Sequence, residues 1–255
     1  MGGNNAIAVR FSNVEMPPMF GAAVRFAGAS ILLFLVVAAM RLPLPRGRSL
    51  AGVLVFGVLQ FGISYALIYW SLTKVQAGLF QTIFAVVPLF TFVLAILYRQ
   101  ETFQWRVLAG GLLALAGIAV IFSARLSTDL SLAALWAIVL AAACIAESIV
   151  LLKTVEKPHP ITANAIGMGI GAALLFGMSW IWRETPSMPA LPATWIAIVY
   201  LVLFGSIGLF VLALYVLAHW TASATSYQLV LMPIVTVIFS SWLAGEEVTP
   251  ALLFG

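Results

Sequence analysis

The sequence predicts an all-α fold, a polytopic bundle of transmembrane helices, and three observations carry that expectation. Of the 255 positions 64% are hydrophobic and only 8% charged, with a mean hydropathy of +1.14. Soluble domains carry about 25% charged residues, so this chain lacks the polar side chains to cover a water-facing surface, and a soluble enzyme is excluded. The apolar runs continue unbroken for about twenty residues, the length that crosses a bilayer as helix, whereas barrel strands alternate in runs of about ten. Finally, the chain matches itself weakly at an offset of 145 residues.

In chain order, the first element is a stump over Met1 to Phe11, too short to span. Full spans follow at Met19 to Met40, Leu50 to Ser71, Ala77 to Tyr98, Trp105 to Ser123, Leu130 to Leu152, Ile161 to Trp182, Thr194 to Ala218 and Ala222 to Leu243, eight in all. The connections Arg41 to Arg48 and Lys153 to Pro160 hold proline, charge or both, which end helices. Trp70, Trp105, Trp182, Trp195, Trp220 and Trp242 fall near span ends, where an indole keeps its ring in the interface and its N–H hydrated. Alternating spans put Arg41, Arg46, Arg48, Arg99, Arg106, Lys153 and Lys157 on one side, against Arg10, Lys74, Arg125 and Arg183 on the other. The positive-inside rule makes the first side cytoplasmic. No cleavable signal peptide precedes Arg10, so the first helix would itself direct insertion.

The offset pairs Ala77 with Ala222, Pro88 with Pro233, Thr91 with Thr236, Glu101 with Glu246, Leu108 with Leu253 and Gly110 with Gly255. Identity is low, but a proline falls mid-span and a glutamate just past the span in both copies. If each unit holds five spans, an odd number, the second copy inserts upside down relative to the first, as in many transporters. The expected architecture is therefore two inverted five-helix repeats, residues 1–127 and 128–255. The expected parent has ten helices, truncated here in helices 1 and 10.

This arrangement resembles the EamA family of the drug/metabolite transporter superfamily. The resemblance rests on Gly2-Gly3-Asn4-Asn5-Ala6 leading to Arg10, on Ala77-Gly78 through Pro88 to Glu101, and on Ala222 through Pro233 to Gly245-Glu246-Glu247-Val248-Thr249-Pro250. The last is the most specific, similar to the family's Gly-Glu-x-x-Thr ending of helix 9; Gln100-Glu101-Thr102 departs from it. What the resemblance implies is secondary transport in the cell membrane, as export of a small metabolite or amphipathic compound, amino acid-like or drug-like, by alternating access. The residues themselves leave open a passive channel or a structural membrane subunit, and a membrane-embedded enzyme is disfavoured.

The chemistry-bearing residues are few. Cys144 is the single cysteine, so no disulfide forms within the chain, and His159 and His219 make no Cys/His metal cluster. Paired aspartates are excluded because Asp129 is the only one. No ATP-binding loop is present, so any transport runs on a gradient. No cofactor, metal or nucleic-acid partner is expected; the partners are a small-molecule substrate and the lipid bilayer, with a homodimer left open.

Glu147 is the only carboxylate deep within a span. An ionisable group there faces a cavity or a partner, which makes it the candidate for solute contact and proton coupling, with Ser148 beside it; the alternatives are that it snorkels from within reach of the helix end, or bonds Ser148 and a neighbouring helix. Pro88 and Pro233, each twelve residues into a span, free a backbone carbonyl and point to a midplane site. Gln81, at i−7, shares the face of Pro88, and Ser226 that of Pro233, with Tyr227 beside it. Gln60, Ser64 and Tyr65 offer an amide, a hydroxyl and a ring for a cavity wall, unless the first two serve as helix glue. The resemblance adds Asn4 and Asn5 at the start of the first helix. Arg25, seven residues into its span, reads as an anchor whose long stem reaches the interface. Gly167 and Gly171 read as a close-packing surface.

Overall fold

The computed structural model describes residues 2–105, 108–113, 116, 131–155 and 158–226, which are helical apart from turns and short connections, with no strand among them. In chain order the helices used below are α1 (Gly2–Ser12), α2 (Pro18–Ala39), α3 (Gly47–Ser71), α4 (Ala77–Leu97), α5 (Leu132–Leu152), α6 (Pro160–Ile181), α7 (Pro192–His219) and α8 (Ala222–Ser226). Six of them, α2 to α7, are long and apolar enough to cross a membrane, and their ends fall close to the expected spans. Most of the expected spans 105–123 and 222–243, with Tyr227 and Pro233, lies outside the described residues. Large apolar side chains such as Ile31, Leu35, Trp136 and Ile196 stay exposed, as a lipid-facing surface requires.

Helices α2 and α6 pack closely against each other. Their facing residues are small, and Ser30 donates its hydroxyl to the Ala165 carbonyl at 2.7 Å. Lipid tails are as apolar as leucine, so association inside a bilayer depends on close backbone approach and interhelical hydrogen bonds rather than on hydrophobic burial. The crossing of α3 with α6 shows the same economy: a Cβ added to Gly57 would lie 2.8 Å from Gly167 Cα, and one added to Gly171 would lie 2.3 Å from Phe61 Cβ.

Burial along these two helices follows one pattern. Gly21, Ala22, Ala23, Arg25, Phe26, Ala29, Ser30, Leu33 and Val37 of α2 are buried, and so are the residues 142 positions further on, Ala163, Asn164, Ala165, Gly167, Met168, Gly171, Ala172, Leu175 and Ser179 of α6. Both helices open with proline in the first turn and end in the same cap. Arg41 and Arg183 take left-handed φ values of 50° and 53°, while the next amides, of Leu42 and Glu184, bond back to Val37 and Ser179 at 3.0 and 2.9 Å. Arg99, at φ 57°, ends α4 likewise. A left-handed residue after a helix is usually glycine; arginine instead sets a cation against the negative helix terminus.

Two helices contain a π segment, Val58–Ile63 in α3 and Leu203–Gly208 in α7, which lie 145 residues apart. Each is closed by an amide bonding five residues back, Ser64 to Leu59 and Leu209 to Phe204. Helix α4 is broken at Ala85 and Val86, directly before Pro88, where the ring removes an N–H donor.

Candidate functional site: a central cavity

Helices α1, α2, α3, α4, α5, α7 and α8 enclose an empty volume of ≈ 890 Å³, its open mouth included. The wall is aromatic and aliphatic over most of its area, with Phe56, Phe80, Phe84, Phe210, Leu214 and Leu217 among the lining residues, and the polar groups are Asn5, Arg25, Gln60, Gln81 and Thr225 together with the Tyr65 hydroxyl. A mostly apolar concavity with a few convergent polar groups suits a small amphipathic solute.

Arg25 sets the electrostatics of this cavity. It is 1% exposed, and its reach is inward rather than toward the interface, which corrects the anchor expected from its long stem. Nε donates to the Ser206 hydroxyl and Nη2 to the Gly205 carbonyl, both at 2.8 Å, so the π segment of α7 holds the guanidinium. The same carbonyl accepts from Asn5 Nδ2 at 3.2 Å. The guanidinium carbon lies 4.9 Å from the Phe26 ring centre and 5.1 Å from that of Tyr65, a cation–π arrangement that offsets part of the desolvation. The readable signal was the ionisable residue inside a span; depth alone could not tell which way it faces.

Of the residues singled out from sequence, Asn5, Gln60, Tyr65 and Gln81 come together on this cavity. Ser148 stands behind the wall, its hydroxyl 2.6 Å from Gln60 Oε1 and 2.7 Å from the Ile145 carbonyl, where it orients the Gln60 amide. Ser64 is fully buried, absent from the wall, and bonds the Leu59 carbonyl of its own π segment, with the Ala141 carbonyl of α5 3.4 Å from the same hydroxyl. Pro88 is buried at the break in α4 but does not line the cavity. Ser226 is turned from it and donates to the Ser223 carbonyl at 2.7 Å, while its neighbour Thr225 lines the wall. Glu147 is not part of the wall: its carboxylate accepts from the Tyr98 hydroxyl at the end of α4. The Asn4 side chain, Tyr227 and Pro233 lie outside what the structure describes. Among the described residues no three His, Cys, Asp or Glu side chains gather as a metal site would require.

One end of the bundle is tied by two carboxylates. Glu184, just past α6, accepts from the Met19 and Phe20 amides at 3.1 and 2.9 Å, so it caps α2, whose own N-cap Pro17 has no side-chain bond to give. Glu15, between α1 and α2, accepts from the Ala190 amide at 3.1 Å, from the Leu191 amide and from the Thr194 hydroxyl at the start of α7. An anion is favourable at a helix N-terminus. The Thr194 hydroxyl, and after it the Leu191 and Ala190 amides, hold the Glu15 carboxyl below the usual glutamate range against a smaller opposing effect of burial. A depressed folded-state value means that the tie contributes fully above about pH 4.3, the unfolded value, and is lost as pH falls through the lowered folded value. The melting temperature of wild type should therefore exceed that of Glu15→Gln near neutral pH, with the gap narrowing only under strongly acidic conditions; a gap constant down to pH 3 would refute the assignment.

The model of the EamA-like transporter family matches residues 2–123 and again residues 132–255. The chain is 27% identical over 237 residues to a protein of Streptantibioticus cattleyicolor named as a probable terminal-alkyne amino-acid exporter, covering 91% of this chain and 77% of that one. It is 28% identical over 252 residues to the Escherichia coli K12 protein named as the uncharacterized inner membrane transporter YedA, covering 97% and 80%. A solved crystal structure shares the fold, with a TM-score of 0.74 at 16% identity over 99% of this chain and 90% of that one.

Proposed function

Because the chain belongs to the EamA-like transporter family, we propose that it exports small amphipathic metabolites from the cytoplasm across the inner membrane by alternating access, two inverted halves, 1–127 and 128–255, rocking about the central cavity. The observation that carries this reading is the pairing of the cavity wall. Tyr65 and Phe210, Ile68 and Ala213, Leu72 and Leu217, and Phe80 and Thr225 all line it, and each pair is 145 residues apart. The same spacing relates the two π segments, and 142 relates the buried faces of α2 and α6, a difference absorbed by the longer connection after α6. A site built from equivalent positions of two halves is what rocking about a midplane site needs.

The relatives bear on direction and location: one is named as an exporter of an amino acid and the other as an inner membrane transporter. The test is counterflow in vesicles bearing the full-length protein. A carrier gives saturable exchange accelerated by solute on the far side; flux that rises linearly and ignores trans solute would identify a channel instead.

Glu147 enters the scheme through Tyr98 rather than through the cavity. Glu147→Gln keeps the hydrogen-bond geometry and removes the charge. If the pair only ties α5 to α4, efflux and its pH dependence stay unchanged; a flattened pH profile would establish Glu147 as the proton-coupling group.

A further inference from the structure

The central cavity holds a positive charge with no negative partner among the described residues. Arg25 is 1% exposed, and of its three nitrogens Nη1 has no hydrogen-bond partner. Every described carboxylate is engaged elsewhere: Glu15 at the start of α7, Glu184 at the start of α2, Glu101 at the Ser223 amide and Glu147 at Tyr98. A guanidinium kept from water in an apolar setting is costly unless paired, because aromatic faces and carbonyl dipoles replace only part of its hydration. Asn5 Oδ1 and Gln81 Nε2, on residues that line the same cavity, are buried and also lack partners. Three orphaned polar atoms on one cavity wall that is otherwise mostly apolar mark the place where a polar head of the solute belongs.

We infer that the solute is an organic acid with one carboxylate and an apolar body, and that Arg25 is the residue that selects it. The carboxylate accepts from Nη1 and from the Gln81 amide, and the body lies against Phe80, Phe84 and Phe210. One guanidinium balances one negative charge; a dianionic phosphate would carry a surplus charge into an apolar chamber that offers no second cation among its lining residues. The unpartnered Asn5 Oδ1 is an acceptor on the same cavity and accommodates an amine where the solute has one, but the carboxylate is the group required. This inference rests on the transport reading of the cavity and narrows its substrate class.

The experiment uses purified full-length protein and three related probes: phenylalanine, phenylpropionate and phenylalanine methyl ester. Binding in detergent is read by ligand-induced thermal shift and titration calorimetry, and exchange is read in vesicles. Both acids are expected to bind and to exchange, and the ester to do neither. Arg25→Met should raise the Kd for both acids by about 30-fold or more, the usual consequence of removing a buried charged partner, and Arg25→Lys should recover part of that loss because it keeps the charge without the fork. If Arg25→Met does not fold, the comparison of acids with ester on wild type decides alone. Ester binding as tight as that of the acids, or unchanged acid binding by a folded Arg25→Met protein, overturns the inference. Acids that bind through Arg25 but show no exchange would leave the acid site standing and count against the transport reading; exchange of acids and ester alike would do the reverse.

Discussion

Gly205→Val is expected to bring efflux down at least about tenfold in a protein that still folds, since misplacing binding groups by about 1 Å can cost as much as a hundredfold. A Cβ added at Gly205 would lie 2.3 Å from Asn5 Oδ1 and 3.3 Å from Arg25 Nη2. Both side chains depend on the Gly205 carbonyl, so the new methyl groups displace the donors from the acceptor that positions them. The obstruction falls on the ends of two polar side chains rather than on helix backbone, which is why the cavity suffers more than the fold. Gly177→Ala is the matching control, because nothing lies within 4 Å of its added Cβ. Efflux at the wild-type level from Gly205→Val would remove this corner of the cavity from the solute path.

The contrast between these two glycines shows what the sequence could reveal. Six helical spans were legible from apolar runs alone, because the bilayer imposes one length on every crossing element. The Gly167 and Gly171 surface was legible for a related reason, since small residues at helical spacing mark close approach. Which face of a helix looks inward was less accessible. Gln81 and Pro88 share a face only on an unbroken helix, and α4 is broken between them, so Gln81 reaches the cavity and Pro88 does not. Ser226 was placed by the same straight-helix geometry, and its neighbour Thr225 lines the wall instead. Arg25 was readable as an intramembrane charge, but the acceptors that turn it inward, Gly205 and Ser206, are some 180 residues away in sequence. No local pattern announces them. Glu147 drew notice as the lone carboxylate within a span, yet its partner Tyr98 sits at the end of another helix, a pairing that spacing along the chain cannot disclose.

Deleting Leu59 from the π segment of α3 should abolish efflux and lower the melting temperature together. A π segment accommodates one extra residue in an α-helix and is common at functional sites. Its removal turns everything beyond it by about 100° and shifts it by about 1.5 Å relative to the helix before it. Before the segment, Gly57 is locked against Gly167 with no room for a methyl group; after it, Tyr65, Ile68 and Leu72 face the cavity. With the extra residue gone, one of these contacts has to be given up. A second variant in which Phe204 is deleted from α7 makes the comparison sharper, because Leu59 and Phe204 are the carbonyl acceptors that close the two segments and stand 145 residues apart. If the halves are equivalent parts of one mechanism, both deletions fail in the same way, since Phe210, Ala213 and Leu217 turn away from the cavity as their counterparts in α3 do. A Leu59 deletion that transports normally would show that the π segments are incidental to the cavity. Failure of one deletion alone would show that the halves are not equivalent in transport.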